Sequence, residues 1–279
     1  MKRITIPLRV ACGLLFALST CFAQQYTVSD LGTLGGTSSS ASGINAFGQV
    51  VGTSSLSGNA AAHAFRTARD SPINPAKDDL GTLGGSSSGA AGIDDYGQVV
   101  GLSSTAGDTT VHAFLYSSGV MHDLNNLISA GSGCEVVAAV AINDGGQIAG
   151  NGNCSGQNHA VLLTPIYKAL VRPPINADGS SVFKAKRGVV PVKFTLTQYD
   201  VRTCTLPPAT ITLTRASGGT LASVDERIYS TPGDSGSNFR IAGCHYIYRL
   251  AAHSLVVGVY RVDISINGIF VGHAVFALE

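Results

Sequence analysis

Apolar and polar positions in this chain alternate in short runs, and the runs repeat. Gly43–Gly52 reads GINAFGQVVG. The pattern returns as GIDDYGQVVG at Gly92–Gly101 and as AINDGGQIAG at Ala141–Gly150, 49 residues further on each time. Ser40–Asn45 and Gln49–Ser54 have the period of two that marks a half-buried strand, and they flank Ala46-Phe47-Gly48. The pattern predicts a hairpin in which Gly48, Gly97 and Gly146 take a positive φ. Asn45, Asp94 and Asn143 open the turn, where a short side-chain oxygen can accept from nearby backbone amides. A third strand carries His63-Ala64-Phe65, repeated as His112-Ala113-Phe114 and His159-Ala160-Val161, with His63 and Phe65 on one face and Ala64 on the other. A fourth leads into Asp30-Leu31-Gly32-Thr33-Leu34, which recurs from Asp79 and, more weakly, from Asp123.

Four short strands per unit at this period predict three four-stranded units in a closed propeller-like or prism-like array. The Asp-Leu-Gly strand precedes each unit and does not follow the third. The expected closure therefore pairs Tyr26–Leu34 beside His159–Leu163, removing both open edges. The third unit departs from the pattern with Ala141, Ala149 and Val161, as end units of arrays commonly do.

The repeat signal stops at Thr164. Pro165, Pro173 and Pro174 suggest a linker over 166–175. Plainer alternation follows: Val192, Phe194 and Leu196 face one way, and Tyr260, Val262, Ile264 and Ile266 repeat the pattern near the C-terminus. About seven such strands predict an immunoglobulin-like β-sandwich over 176–279, after a repeat domain over 24–165. The fold class is all-β.

Composition supports this reading. Charged residues are 13%, Gly numbers 34 and Trp is absent, a mix suited to short strands and Gly-rich turns. The N-terminus reads as a secretory leader over 1–23: Lys2, Arg3 and Arg9 precede the apolar Val10–Leu18, and Cys21-Phe22-Ala23 offers small residues for cleavage. Leu18-Ser19-Thr20-Cys21 loosely resembles a lipobox, so lipid anchoring at Cys21 is an alternative, disfavoured by Thr20. The apolar run is short for a bilayer span, so no transmembrane segment is expected in the mature chain. Removing the leader takes Lys+Arg from 18 to 15 against 17 Asp+Glu. No basic face is evident along the chain, and neither nucleic acid nor an anionic membrane is an expected partner. Four cysteines remain, an even number for an oxidising compartment. Pairing within domains, Cys134–Cys154 and Cys204–Cys244, is the simplest of three connectivities.

Asp-Leu-Gly-Thr-Leu-Gly-Gly, Gly-Ile-Asn-x-x-Gly-Gln-Val-Val-Gly and His-Ala-Phe together resemble the HAF repeat family of probable extracellular proteins, over about Tyr26 to Pro165. Pro191-Val192-Lys193-Phe194, with Phe183-Lys184-Ala185-Lys186 and the later Gly258-Val259-Tyr260-Arg261-Val262-Asp263-Ile264, resembles the PxKF-type domain at the ends of secreted bacterial proteins. The first resemblance implies secretion and a repeat fold. It implies no activity.

His63, His112 and His159 are the candidate metal ligands: about a pseudo-threefold axis, three imidazoles with an open position would suit zinc. The alternative, favoured by repetition itself, is one structural hydrogen bond made in every unit. The Asp94, Asp95 and Asp144 turns supply too few carboxylates per loop for calcium. No hydrolase triad is visible, and Gly233-Asp234-Ser235-Gly236 reads as a loop. No cofactor is expected. The sequence points to a secreted, non-enzymatic protein that binds an extracellular protein or glycan, or displays itself at the cell surface or in the periplasm. The alternatives are a glycan-active enzyme on the same scaffold and a structural envelope protein.

Overall fold

The computed structural model describes residues 26–184, 188–217, 234, 236–252 and 255–279. The leader over 1–23, Cys21 within it, part of Phe183-Lys184-Ala185-Lys186, and both Gly233 and Ser235 of the Gly233–Gly236 loop lie outside the described residues.

The chain is all-β, with five open sheets among the described residues. The first contains β1 (Gly35–Ile44), β2 (Val50–Leu56) and β3 (Ala62–Arg66). The second contains β4 (Gly84–Ile93), β5 (Val99–Thr105), β6 (Val111–Ser117) and β7 (Val120–Asp123). The third contains β8 (Cys134–Ile142), β9 (Ile148–Cys154) and β10 (Gln157–Leu163). All three are antiparallel meanders. At the hairpin turns Gly48, Gly97 and Gly146 have φ of 71°, 79° and 74°, the left-handed geometry the turn requires. Asn45 Oδ1 accepts from the amides of Phe47 and Gln49, at 3.1 and 3.0 Å.

The three sheets stack face to face, with one unit's residues against their counterparts in the next. Alternation along each strand produces this. Val51 and Ala64 of the first sheet pack with Ala90, Val99 and Phe114 of the second. Their neighbours in sequence, Val100, Ala113 and Leu115, point the other way and pack with Val136, Ala139 and Ile148 of the third. Each large apolar side chain so buried contributes about 1.5–3 kcal/mol. The first sheet's other face holds Val50 and Phe65, covered by Leu31, Leu34 and Ile73.

Polar groups hold the register. The Asn45 amide donates to the Asp94 carbonyl, and Asp95 and Asp144 each accept from a backbone amide one unit back, Ala46 and Asp95 respectively, all at 2.9 Å and 49 residues apart. The backbones approach closely here: a Cβ on Gly92 would lie 3.1 Å from the Ala141 Cα. That approach accounts for glycine at Gly43 and Gly92. Ala141 belongs to the last unit, with no further sheet packed over its outer side among the described residues.

The expected closed array is therefore corrected. Contacts step by one period from first sheet to second to third, so the array advances rather than turning back on itself. Leu34 bridges Leu56 in parallel and the Leu31 carbonyl accepts from Ile73, so Leu31–Leu34 caps the first unit instead of pairing with His159–Leu163. Among the described residues β10 pairs with β9 alone. Four strands per unit hold in full only for the second sheet. The first gains a partial fourth strand where Asp79 bridges Phe65, and the third has none.

The remaining two sheets share one core. One has the order β11 (Tyr167–Arg172), β13 (Val189–Gln198), β17 (His245–Ala251), β16 (Arg240–Ala242), with β14 (Val201–Thr203) also on β13. The other has the order β12 (Ser181–Phe183), β19 (Ile269–Leu278), β18 (Gly258–Ile266), β15 (Ala209–Ser217). Val192, Phe194 and Leu196 meet Tyr260, Val262 and Ile264 between them. Tyr246, Tyr248 and Tyr260 are wholly buried and each donates its hydroxyl to a backbone carbonyl, which offsets the cost of burying it. The linker expected over 166–175 is mostly strand. Tyr167, Ala169 and Val171 alternate toward the core, and Ile175 is buried in it, so the prolines punctuate a strand end rather than a spacer.

Candidate functional site

His63 and His112 do not converge. Each bonds a carboxylate of its own unit. His63 Nδ1 lies 2.9 Å from Asp79 Oδ1, and His112 Nδ1 lies 2.7 Å from Asp123 Oδ2. Asp79 and Asp123 begin the Asp-Leu segments that follow each His-Ala-Phe. The two signatures of the repeat therefore clasp each other, the third strand binding the segment laid along its edge. His159 has no Asp-Leu segment after it and lies exposed. The three histidines sit in three successive sheets, and no group of three or more His, Cys, Asp or Glu suited to a metal occurs among the described residues.

His112 has a second neighbour. Its Nε2 lies 3.1 Å from Glu135 Oε1 on β8, so the ring bridges the second and third sheets. The Asp123 bond, assisted by the charges of Asp123 and Glu135, raises the His112 pKa against a smaller opposing effect of burial. Beside it opens a polar cleft of about 590 Å³, bounded by the Ile128–Gly133 loop, Glu135 and Asn153. Asn125 pins the cleft floor, accepting from the Val136 amide at 2.7 Å and donating to its carbonyl at 2.9 Å. Cys134 is bonded to Cys154 directly across β8 and β9, which ties the loop base. Gly85-Ser86-Ser87-Ser88-Gly89 matches a nucleophile-elbow pattern in letters. The central Ser87 lies within strand β4, whereas an elbow requires a sharp strand-to-helix turn, so no elbow is formed.

The second unit's turn carries features the others lack. Tyr96 stacks on Phe270 and packs against His273 of the sandwich, with ring centroids 4.6 Å apart in both cases. Arg261 donates to the carbonyls of Asp95 and Tyr96 and pairs with Asp263. The counterparts of Tyr96 are Phe47 and Gly145, so only the middle unit presents this dock. Asp94, at the base of the turn, replaces the asparagine of the other units. Its Oδ1 accepts from Tyr96 and Gln98, while Oδ2 and Gln98 Oε1 are buried with no hydrogen-bond partner. In the first unit that pairing is an amide of Asn45 donating to Gln49 Oε1 at 2.9 Å. Burial, with a smaller contribution from Asp144, pushes the Asp94 carboxyl up to about 7.

Sequence order hid one further feature. Arg172, Lys193, Ile247 and Arg240 pair across four adjacent strands and so share the outer face of one sandwich sheet. Arg202 and His245 join Arg172, Lys193 and Ile247 around a cleft of about 530 Å³. The sequence shows no basic face because these cations are scattered over about seventy positions. Only the strand pairing brings them together. A period-two reading of β13 placed Lys193 on the outer face, which was the available signal.

No family model matches the chain, and no curated protein matches it. Among solved structures it is similar to domains 4 and 5 of the S-layer protein SbsC, at 11% identity and a TM-score of 0.22, over 68% of this chain and 92% of that one.

Proposed function

We propose that this is an exported, non-enzymatic binding or surface-display protein, a HAF-type repeat stack docked to a PxKF-type, immunoglobulin-like sandwich. The observation that carries it is the His–Asp clasp: the residues that look most reactive in the sequence are engaged in holding strands together. Two disulfides agree with an oxidising location, and no helix among the described residues is long and apolar enough to cross a membrane. The repeat stack supplies a rigid support and the loops at its rim and the sandwich faces supply contact surface.

A second reading has a specific basis. His112 between Asp123 and Glu135, at the mouth of a polar cleft, has the makings of an acid–base group. A glycan array beside a broad hydrolase screen, both with the mature protein, separates the two. Binding without turnover supports the first reading. Turnover that disappears in Glu135→Gln overturns it.

A further inference from the structure

The outer face of the sandwich sheet gathers positive charge in a chain that is poor in charge. Arg172 on β11 is the cross-strand neighbour of Lys193 on β13, and Lys193 is the neighbour of Ile247 on β17. Arg202 on β14 pairs with Thr197, two residues along the same face of β13 from Thr195. Together with His245 these cations wall a cleft whose lining contains no acidic residue. Lys168 and Arg240, at the margins, are neutralised by Asp200 and Asp234. Arg172, Lys193 and Arg202 have no carboxylate partner among the described residues. Thr195 accepts from Arg172 Nε at 3.1 Å, which fixes the guanidinium over the sheet and leaves its outer nitrogens free.

The cleft is also braced. Cys204 lies two residues after Arg202, and Cys244 immediately precedes His245. The bond between them joins the two walls, the end of β14 and the β16–β17 turn. Arg172, Lys193 and Arg202 lie on three neighbouring strands, β11, β13 and β14, a span of roughly 10 Å at ordinary strand spacing. That length suits several anionic groups on one extended polymer better than a single small ion. The lining holds no Phe or Tyr on which bases could stack, which disfavours single-stranded nucleic acid. Its concave form disfavours a flat lipid surface.

We propose that this cleft binds a segment of acidic polysaccharide, with Arg172, Lys193 and Arg202 receiving its carboxylate or sulfate groups. Guanidinium forks match both groups in two-point geometry. The inference gives a ligand class to the binding reading above and rests on it.

The test is equilibrium binding of the mature, oxidised protein to polygalacturonate, heparin, neutral dextran, anionic phospholipid vesicles and single-stranded DNA, at low and at physiological salt. The expected result is salt-sensitive binding to polygalacturonate, heparin or both, with none to dextran. The ranking of the first two identifies carboxylate or sulfate as the preferred group. The Arg172→Ala, Arg202→Ala double variant should lose at least about tenfold in affinity. An Arg69→Gln, Lys77→Gln double variant, which removes as much charge from the repeat stack, should bind as the parent does. Thermal melting of each variant shows that it is folded, and Lys193→Gln provides a milder substitution should the double variant not fold. The proposal is overturned if neither acidic polysaccharide binds at low salt, if vesicles or DNA bind more tightly, or if the cleft and control variants lose affinity equally. Binding of neutral glycans alone would overturn it while leaving the broader binding reading standing.

Discussion

The second and third repeat units begin from nearly the same ten residues and reach different ends. In the second, Val99 and Phe114 on one face and Val100, Ala113 and Leu115 on the other pack against the neighbouring units, and β7 covers the edge of β6. In the third, buried Val100 is replaced by Ala149, and Leu162, the counterpart of buried Leu115, is exposed. His112 is held by Asp123, whereas His159 stands free of any such clasp. The repeat signature thus specifies a hairpin, and its neighbours decide whether that hairpin becomes an interior layer or a terminus. Small and polar residues on the outermost sheet keep the last face from behaving as an unfinished interface.

The largest difference between the two units is expected from substitution at a crossing they share. A Cβ on Gly101 would lie 2.0 Å from the Gly89 carbonyl oxygen, an overlap within the hairpin that no side-chain shift relieves. Gly101→Ala should cost about 3 kcal/mol or more in denaturant unfolding. At Gly150 the same atom would lie 2.5 Å from the Ala138 oxygen, in a sheet with one free face. Gly150→Ala should be the milder of the pair. Equal losses would show that the end unit is as constrained as the interior one.

Asp94→Asn should work in the opposite direction. The folded-state pKa lies above the unfolded value, so ionisation opposes folding. Stability from this group falls as pH rises from about 4, the unfolded carboxyl value, through about 7. Asparagine, already present at Asn45 and Asn143, removes that loss and offers Gln98 Oε1 a donor. Chemical unfolding at pH 8 should show a gain on the order of 2–4 kcal/mol, shrinking toward pH 4. A gain that does not depend on pH would contradict this account.

His112→Ala should lower stability by roughly 1–3 kcal/mol, against less than about 0.5 kcal/mol for His159→Ala. The His112 pKa is raised on folding, so its contribution is complete below the unfolded value and fades as pH rises through the folded one. The deficit of His112→Ala should therefore be larger at pH 5.5 than at pH 8.5. A smaller effect than that of His112→Ala is expected at the end of the glycine column. Ala141→Gly should cost about 0.5–1 kcal/mol from backbone entropy alone, because no layer is packed on it to welcome the smaller residue.

Much of the repeat was legible in the sequence because its rules are local. The hairpin, its left-handed glycine and the Asn45 cap each depend on residues within ten positions. The opposite directions of Val99 and Val100 follow from the period of two. Closure was not legible: an array that returns and an array that advances share one strand pattern, and they differ only in which unit lies beside which. Tyr96, Arg261 and the cationic row were invisible for a related reason. Each becomes a site through a partner more than twenty positions away, and nothing in the neighbouring letters marks it. The strand at Tyr167 was hidden by the prolines that follow it.

Contacts that run from a residue to its counterpart one period on bear on how such a gene changes. A tandem duplication of the coding segment for the second unit would insert a layer whose two faces already fit both neighbours. Its Asp95 side chain would meet the preceding turn's amide at the same height. Array length can thus change in a single genetic event with no compensating mutation at the new junctions. The same event would also copy Tyr96, leaving two turns to compete for one sandwich. Selection on copy number and selection on docking are therefore tied together in this chain, through one aromatic residue in the middle layer.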